Sequence, residues 1–161
     1  MRPFQIFATM SPERAVVFCR ALADEAPTAF AQSLALAAGA FRMRPVALKR
    51  LPFEKRAKKA RSLIEGKHNA ELAYELFGTY LVTTKKDLVT AFLDATGVPH
   101  EDGMIQNPDA STPDESKLED AVVALDAAHD PADVTLYLAI AAEQWPESAL
   151  LQRIWRERGT G

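Results

Sequence analysis

Apolar residues recur along this chain at helical spacing. Phe30, Leu34, Ala37 and Phe41 fall on one helical face, as do Leu72, Leu76, Phe77, Tyr80 and Leu81. Leu88, Val89, Phe92 and Leu93 make a third stripe, and Leu118, Val122 and Leu125 a fourth. Residues three and four apart stand above one another on a 3.6-residue turn, so each stripe is one side of a helix. From Val134 to Ala142 the chain is apolar almost all round, which predicts a helix buried on most sides. No stretch alternates strictly like a half-buried strand, although Tyr80-Leu81-Val82-Thr83-Thr84 tolerates one. The pattern predicts an all-α fold, a single compact helical domain over residues 1–161 with about seven to eight helices.

Polar residues supply the punctuation. Ser11-Pro12-Glu13 reads as a helix start: the serine accepts an orphan N–H, proline lacks the N–H that would go unused, and glutamate suits the positive helix end. Thr112-Pro113-Asp114-Glu115 has capping-box spacing, with Thr112 as cap, and Asp130-Pro131-Ala132-Asp133 repeats the logic. Asn69 and Thr84 are further cap candidates. Gly39, Gly66, Gly97 and Gly159 each close an apolar run, where a left-handed residue ends a helix at little cost. Pro99, Gly103, Pro108 and Pro113 mark residues 98–113 as an exposed loop.

Those boundaries outline αα-hairpins near residues 11–39, 69–97 and 131–159, in register without gaps. Phe18, Leu76 and Leu138 correspond, as do Phe30, Leu88 and Leu150. Identities are few, and Glu75 falls on Tyr137, so two readings stand: a duplicated unit stacked with linking helices, or unrelated amphipathic hairpins of similar length.

Charge changes the picture more than composition does. The 161 residues are 48% hydrophobic and 25% charged, with a mean hydropathy of −0.13, which excludes a disordered chain. No apolar run has the length of a bilayer span, and Pro12-Glu13-Arg14 interrupts the short apolar start before any cleavage-like site, so a cytoplasmic protein with no membrane partner is expected. Cys19 is the only cysteine, which rules out disulfides and Cys-based zinc sites. The net charge of −3 divides unevenly: residues 1–90 carry 15 Lys/Arg against 8 Asp/Glu, residues 91–161 carry 4 against 14. Such asymmetry signals either a polyanion partner or mutual attraction of the two halves.

The basic linking segment, residues 42–61, concentrates the positive charge. Arg42, Arg44, Lys49, Arg50, Lys55, Arg56, Lys58, Lys59 and Arg61 oppose one anion, Glu54, and Pro45 and Pro52 divide the segment into one short and one longer helix. Lys55, Lys58 and Lys59 share a face by i, i+3, i+4 spacing. A solvated face, a surface that docks protein and a phosphate-binding face all have this composition. Phe41 and Phe53 flank the run, but no stacking platform is evident, and the pI of 5.6 is low for a dedicated nucleic-acid binder.

Candidate chemistry is sparse. Histidine and carboxylates crowd only around His100, Glu101 and Asp102, where His100 with either neighbour has the composition of an acid–base pair, and where a polar loop after Gly97 is the plainer reading. Adjacent side chains diverge and further histidines are distant, so no metal site is expected, nor any cofactor. Cys19 lies on the apolar stripe of Phe18 and Leu22, where a buried inert thiol is the default, and Trp145 and Trp155 read as core. No G-x-S-x-G, Walker A, G-x-G-x-x-G or H-E-x-x-H is present. These observations predict a non-enzymatic helical protein-interaction or regulatory module whose partner is another protein or itself. A nucleic-acid-associated protein using residues 42–61 is the alternative, followed by an enzyme of unknown chemistry near His100.

Overall fold

Proline, serine and aspartate begin the helices much as the sequence suggests. The structure, a computed structural model, describes residues 3–158. Among these are ten α-helices: α1 (Pro3–Thr9), α2 (Pro12–Glu25), α3 (Pro27–Ala40), α4 (Pro45–Lys49), α5 (Phe53–Ile64), α6 (Ala70–Thr84), α7 (Lys86–Thr96), α8 (Glu115–Ala128), α9 (Pro131–Gln144) and α10 (Ala149–Arg158). A 3-10 turn, Lys67–Asn69, leads into α6, and two antiparallel pairs of residues, β1 (His100–Glu101) and β2 (Met104–Ile105), form the one small ribbon among the described residues. The fold is all-α. The ten exceed the expected seven to eight and include α4 and α5, the short and the longer helix expected of the basic segment, and the short α1, which the apolar pattern does not mark. No described helix is long and apolar enough to cross a membrane.

The helices gather into two compact units that divide between Thr84 and Lys85. In the unit that ends at Thr84, α2 packs against α3, α5 and α6. Its centre is aromatic: Phe18 lies 5.1 Å from Phe7, 5.2 Å from Phe77 and 4.7 Å from Tyr80 between ring centres. Tilted pairs of this kind set the positive ring edge against the negative face, adding about 0.5–1.5 kcal/mol each to the burial itself. α5 turns Ala57, Ala60, Leu63 and Ile64 inward, and its two alanines let the backbone come close to α2, with the Cys19 thiol 4.0 Å from the Ala57 carbonyl oxygen.

The unit that starts at Lys85 is built around α9. Val134, Leu136, Tyr137, Leu138, Ala139, Ala141 and Ala142 are buried along it, so the helix is enclosed on most sides as its composition predicts. Phe92 of α7 meets Tyr137 edge-on at 5.0 Å and stacks on Trp145 at 6.4 Å. Trp145 also donates its indole N–H to the Ser111 carbonyl at 2.8 Å, which pins the 98–113 segment at one end. Both tryptophans are buried, Trp155 through α10.

Several local readings need correction. Asp114, not Thr112, caps α8: it accepts from the Ser116 N–H and hydroxyl, while its own N–H donates to the Thr96 carbonyl. Asn69 serves the preceding helix instead of α6, donating its side-chain amide to Leu63 O at 3.0 Å. Lys85, not Thr84, precedes α7, without a side-chain cap. Gly39 stays within α3, and Arg42 takes the left-handed position (φ 51°) as Met43 N returns to Ala38 O. Gly97 does close α7 in the left-handed conformation, with φ 73°. Gly159 lies outside the described residues. Of the three hairpin windows, the middle one contains the division between units, so α6 and α7 belong to different units.

Candidate functional site

The nine cations of residues 42–61 occupy α4, α5 and the turn before them, and the fold sorts them into two kinds. Arg42, Arg44, Lys49, Arg50, Lys55 and Lys58 are exposed, and among the described residues their side chains take part in no hydrogen bond or ion pair. Lys55 and Lys58 stand opposite the buried Ala57, Ala60 and Leu63 because α5 is amphipathic, with its apolar residues confined to one side.

The other three are committed inside the unit. Arg61 donates from Nη2 to the carbonyls of Ala8 (3.0 Å) and Met10 (2.7 Å), satisfying acceptors at the end of α1. Its Nε lies 3.4 Å from Glu65 Oε2, at ion-pair distance. Lys59 holds its ammonium 4.5 Å from the centre of the Phe41 ring, and Arg56 lies 5.3 Å from that of Phe53. Phe53 also stacks on Phe30 and carries Arg20 over its ring at 3.7 Å. Both aromatics that flank the basic run are thus engaged by the protein's own side chains. Arg20 was not legible as part of this cluster, since only the packing of α2 on α5 brings it to Phe53.

Beside α4 lies a groove of about 380 Å³ whose lining includes Phe30 and Leu34 of α3, Leu48 of α4 and the cations Lys49 and Arg56. Ala31 and Ala35, an i, i+4 pair on α3, also line it, and their short side chains help keep it open. The Arg56 Nε is enclosed and has no hydrogen-bond partner among the described residues. A second recess, about 420 Å³ between α2 and α5, sets Glu54 and Glu65 beside Lys58 and Arg61 and so favours neither sign of charge.

Several carboxylates find cations within their own unit. In the unit that starts at Lys85, Arg158 grips Asp126 with two nitrogens at 2.6 and 2.7 Å, and Arg153 meets Glu119 at 2.6 Å. Lys85 reaches the buried carboxylate of Asp133 at 3.1 Å.

His100 is brought to Asp94, not to its sequence neighbours. Its Nδ1 accepts from the Gly103 N–H at 3.1 Å, which leaves Nε2 to donate to Asp94 Oδ1 at 2.9 Å. Asp102, in the left-handed conformation at φ 53°, pairs with Lys86 at 3.1 Å, and Glu101 pairs in the ribbon with Met104. Both imidazole nitrogens are therefore used in holding the β1–β2 turn against the end of α7. Among the described residues no group of three or more His, Cys, Asp or Glu could hold a metal ion. Burial pushes the Cys19 thiol up to about 12, far from the thiolate a nucleophile needs.

No protein-family model, no curated protein and no solved structure matches this chain.

Proposed function

We propose that this chain is a non-catalytic docking module, acting in the cytoplasm, whose basic α4–α5 face takes an acidic surface of another protein. The observation that carries this reading is the set of six exposed cations that have no hydrogen-bond or ion-pair partner among the described residues, at a place where the sequence could have supplied anions and supplies one. Apolar side chains exposed close by in sequence, Phe41 and Val46, favour a protein over a bare phosphate backbone. The commitment of Phe41 and Phe53 to Lys59, Arg20 and Phe30 also argues against stacking of nucleotide bases. The engagement of both His100 nitrogens supports leaving acid–base chemistry out of the reading.

A labelled glutamate-rich peptide and a short DNA duplex test it, each titrated with wild type and an Arg44, Arg50, Lys55, Lys58→Ala variant at low and physiological salt. Exposed charges contribute about 0.3–0.5 kcal/mol each, so four together are worth about 1–2 kcal/mol, or roughly tenfold in affinity. The peptide is expected to bind wild type and to lose about that factor in the variant, with thermal stability unchanged. Tight duplex binding with a steep salt dependence, lost in the variant, would replace this reading with the nucleic-acid one. Binding of neither probe would end both.

A further inference from the structure

We infer that the groove beside α4 is the specificity element of this face: it receives the aliphatic side chains of an acidic amphipathic segment while Arg56 and Lys49 meet a neighbouring carboxylate. The inference rests on the reading that the basic face takes acidic partners, and it adds what such a partner must carry besides charge. Phe30, Leu34 and Leu48 form a buried apolar floor, and Ala31, Ala35 and Pro45 above it are the exposed apolar residues of the lining. At about 380 Å³ the groove sits at the low end of ligand-pocket sizes, about 300–1,000 Å³, which suits a side chain or two better than an enclosed small molecule.

Charge complementarity selects the occupant. The lining holds two cations and no carboxylate. Arg56 and Lys49 bring two positive charges to the groove, and a carboxylate seated there would pair with them through charge-assisted hydrogen bonds. Val46, on the same short helix but outside the groove lining, adds an exposed apolar side chain nearby in sequence. A partner helix with leucines at i, i+3 and i+4 and glutamates between them presents both chemistries on one side, the arrangement by which amphipathic helices enter grooves generally.

The test compares two labelled peptides of equal length and charge, glutamate-rich, with either leucines or serines at those three positions. The leucine peptide is expected to bind about tenfold tighter or better, the effect of burying one aliphatic side chain. Ala35→Trp, a change at an exposed position that fills the groove, should abolish that advantage and leave the serine peptide's affinity as it was. Ala31→Phe serves the same purpose should the tryptophan variant not fold. Equal affinity for the two peptides, or an advantage that survives a groove-filling substitution, would overturn the inference alone. Failure of both peptides to bind would overturn it together with the docking function it rests on.

Discussion

Two buried groups give their surroundings away most directly. The Cys19 thiol lies against the Ala57 carbonyl, and burial pushes its pKa up to about 12 from an ordinary 9.0. Below the ordinary value both folded and unfolded chains hold the proton. Between about 9 and 12 only the unfolded chain releases it, so this thiol's contribution to stability is full below pH 9 and is lost as pH rises towards 12. Urea titrations across that interval should show wild type losing stability faster than Cys19→Ala, with the difference between the two isolating the thiol from other alkaline titrations. Asp133 is the other case, its side chain 5% exposed and held by Lys85 at 3.1 Å. Lys85→Met removes that cation from a buried carboxylate and is expected to cost about 1–3 kcal/mol. Lys86→Met breaks a pair whose acid, Asp102, is 82% exposed, and should change stability by less than about 0.5 kcal/mol. Adjacent lysines with opposite outcomes in the same denaturation assay would be hard to explain by sequence-local effects.

Helix boundaries divide cleanly into those written locally and those decided by packing. Ser11 accepts from Arg14 N and Asp130 from Ala132 N, and Gly97 is left-handed, all as their positions in the sequence imply, because each signal needs only its own turn. Ser11→Ala should cost about 1 kcal/mol. Asp114 could not be separated from Thr112 by spacing alone, since the bond from its N–H to Thr96 forms only when the 98–113 segment folds back. Ser116 holds the Asp114 carboxyl below its usual value, through the hydroxyl first and the backbone amide second. Its cap is therefore complete above the ordinary carboxylate pKa and fades as pH falls beneath it, so Asp114→Ala should lower the midpoint of thermal unfolding at neutral pH more than at acid pH. Arg42 is the opposite kind of surprise, a side chain where glycine would relieve a left-handed backbone. Arg42→Gly should stabilise the turn, by up to about 1 kcal/mol, while weakening acidic-peptide binding, the pattern expected where a cation is kept at the expense of backbone comfort. Among the stripe residues Leu76 and Leu138 are buried at mid-helix, and Ala at either should cost about 2–5 kcal/mol, whereas Phe41 falls past the end of α3 and is exposed.

Taken over the full chain, the charge gradient and the structural division fall at nearly the same place. Residues up to Thr84 carry 13 Lys/Arg against 7 Asp/Glu, and those from Lys85 onward 6 against 15. The sequence made the basic segment legible as a candidate face but could not say which cations were free, because Arg61, Lys59 and Arg56 are claimed by Ala8, Phe41 and Phe53, partners set by tertiary packing. The groove was illegible for a related reason. Ala31 and Ala35 look like ordinary helix formers until α4 is placed beside them. The same division also sorts the chain's natural probes. Both tryptophans, Trp145 and Trp155, belong to the unit that starts at Lys85, and the lone thiol, Cys19, to the unit that ends at Thr84. Indole emission therefore reports solvent entry into one core, and the rate of thiol modification reports opening of the other, in unlabelled wild-type protein. Leu76→Ala, in the thiol's own unit, should speed modification of Cys19 by a factor of about 30 or more if opening limits access. A fluorimeter and a thiol reagent thus suffice to watch each core open by its own signal.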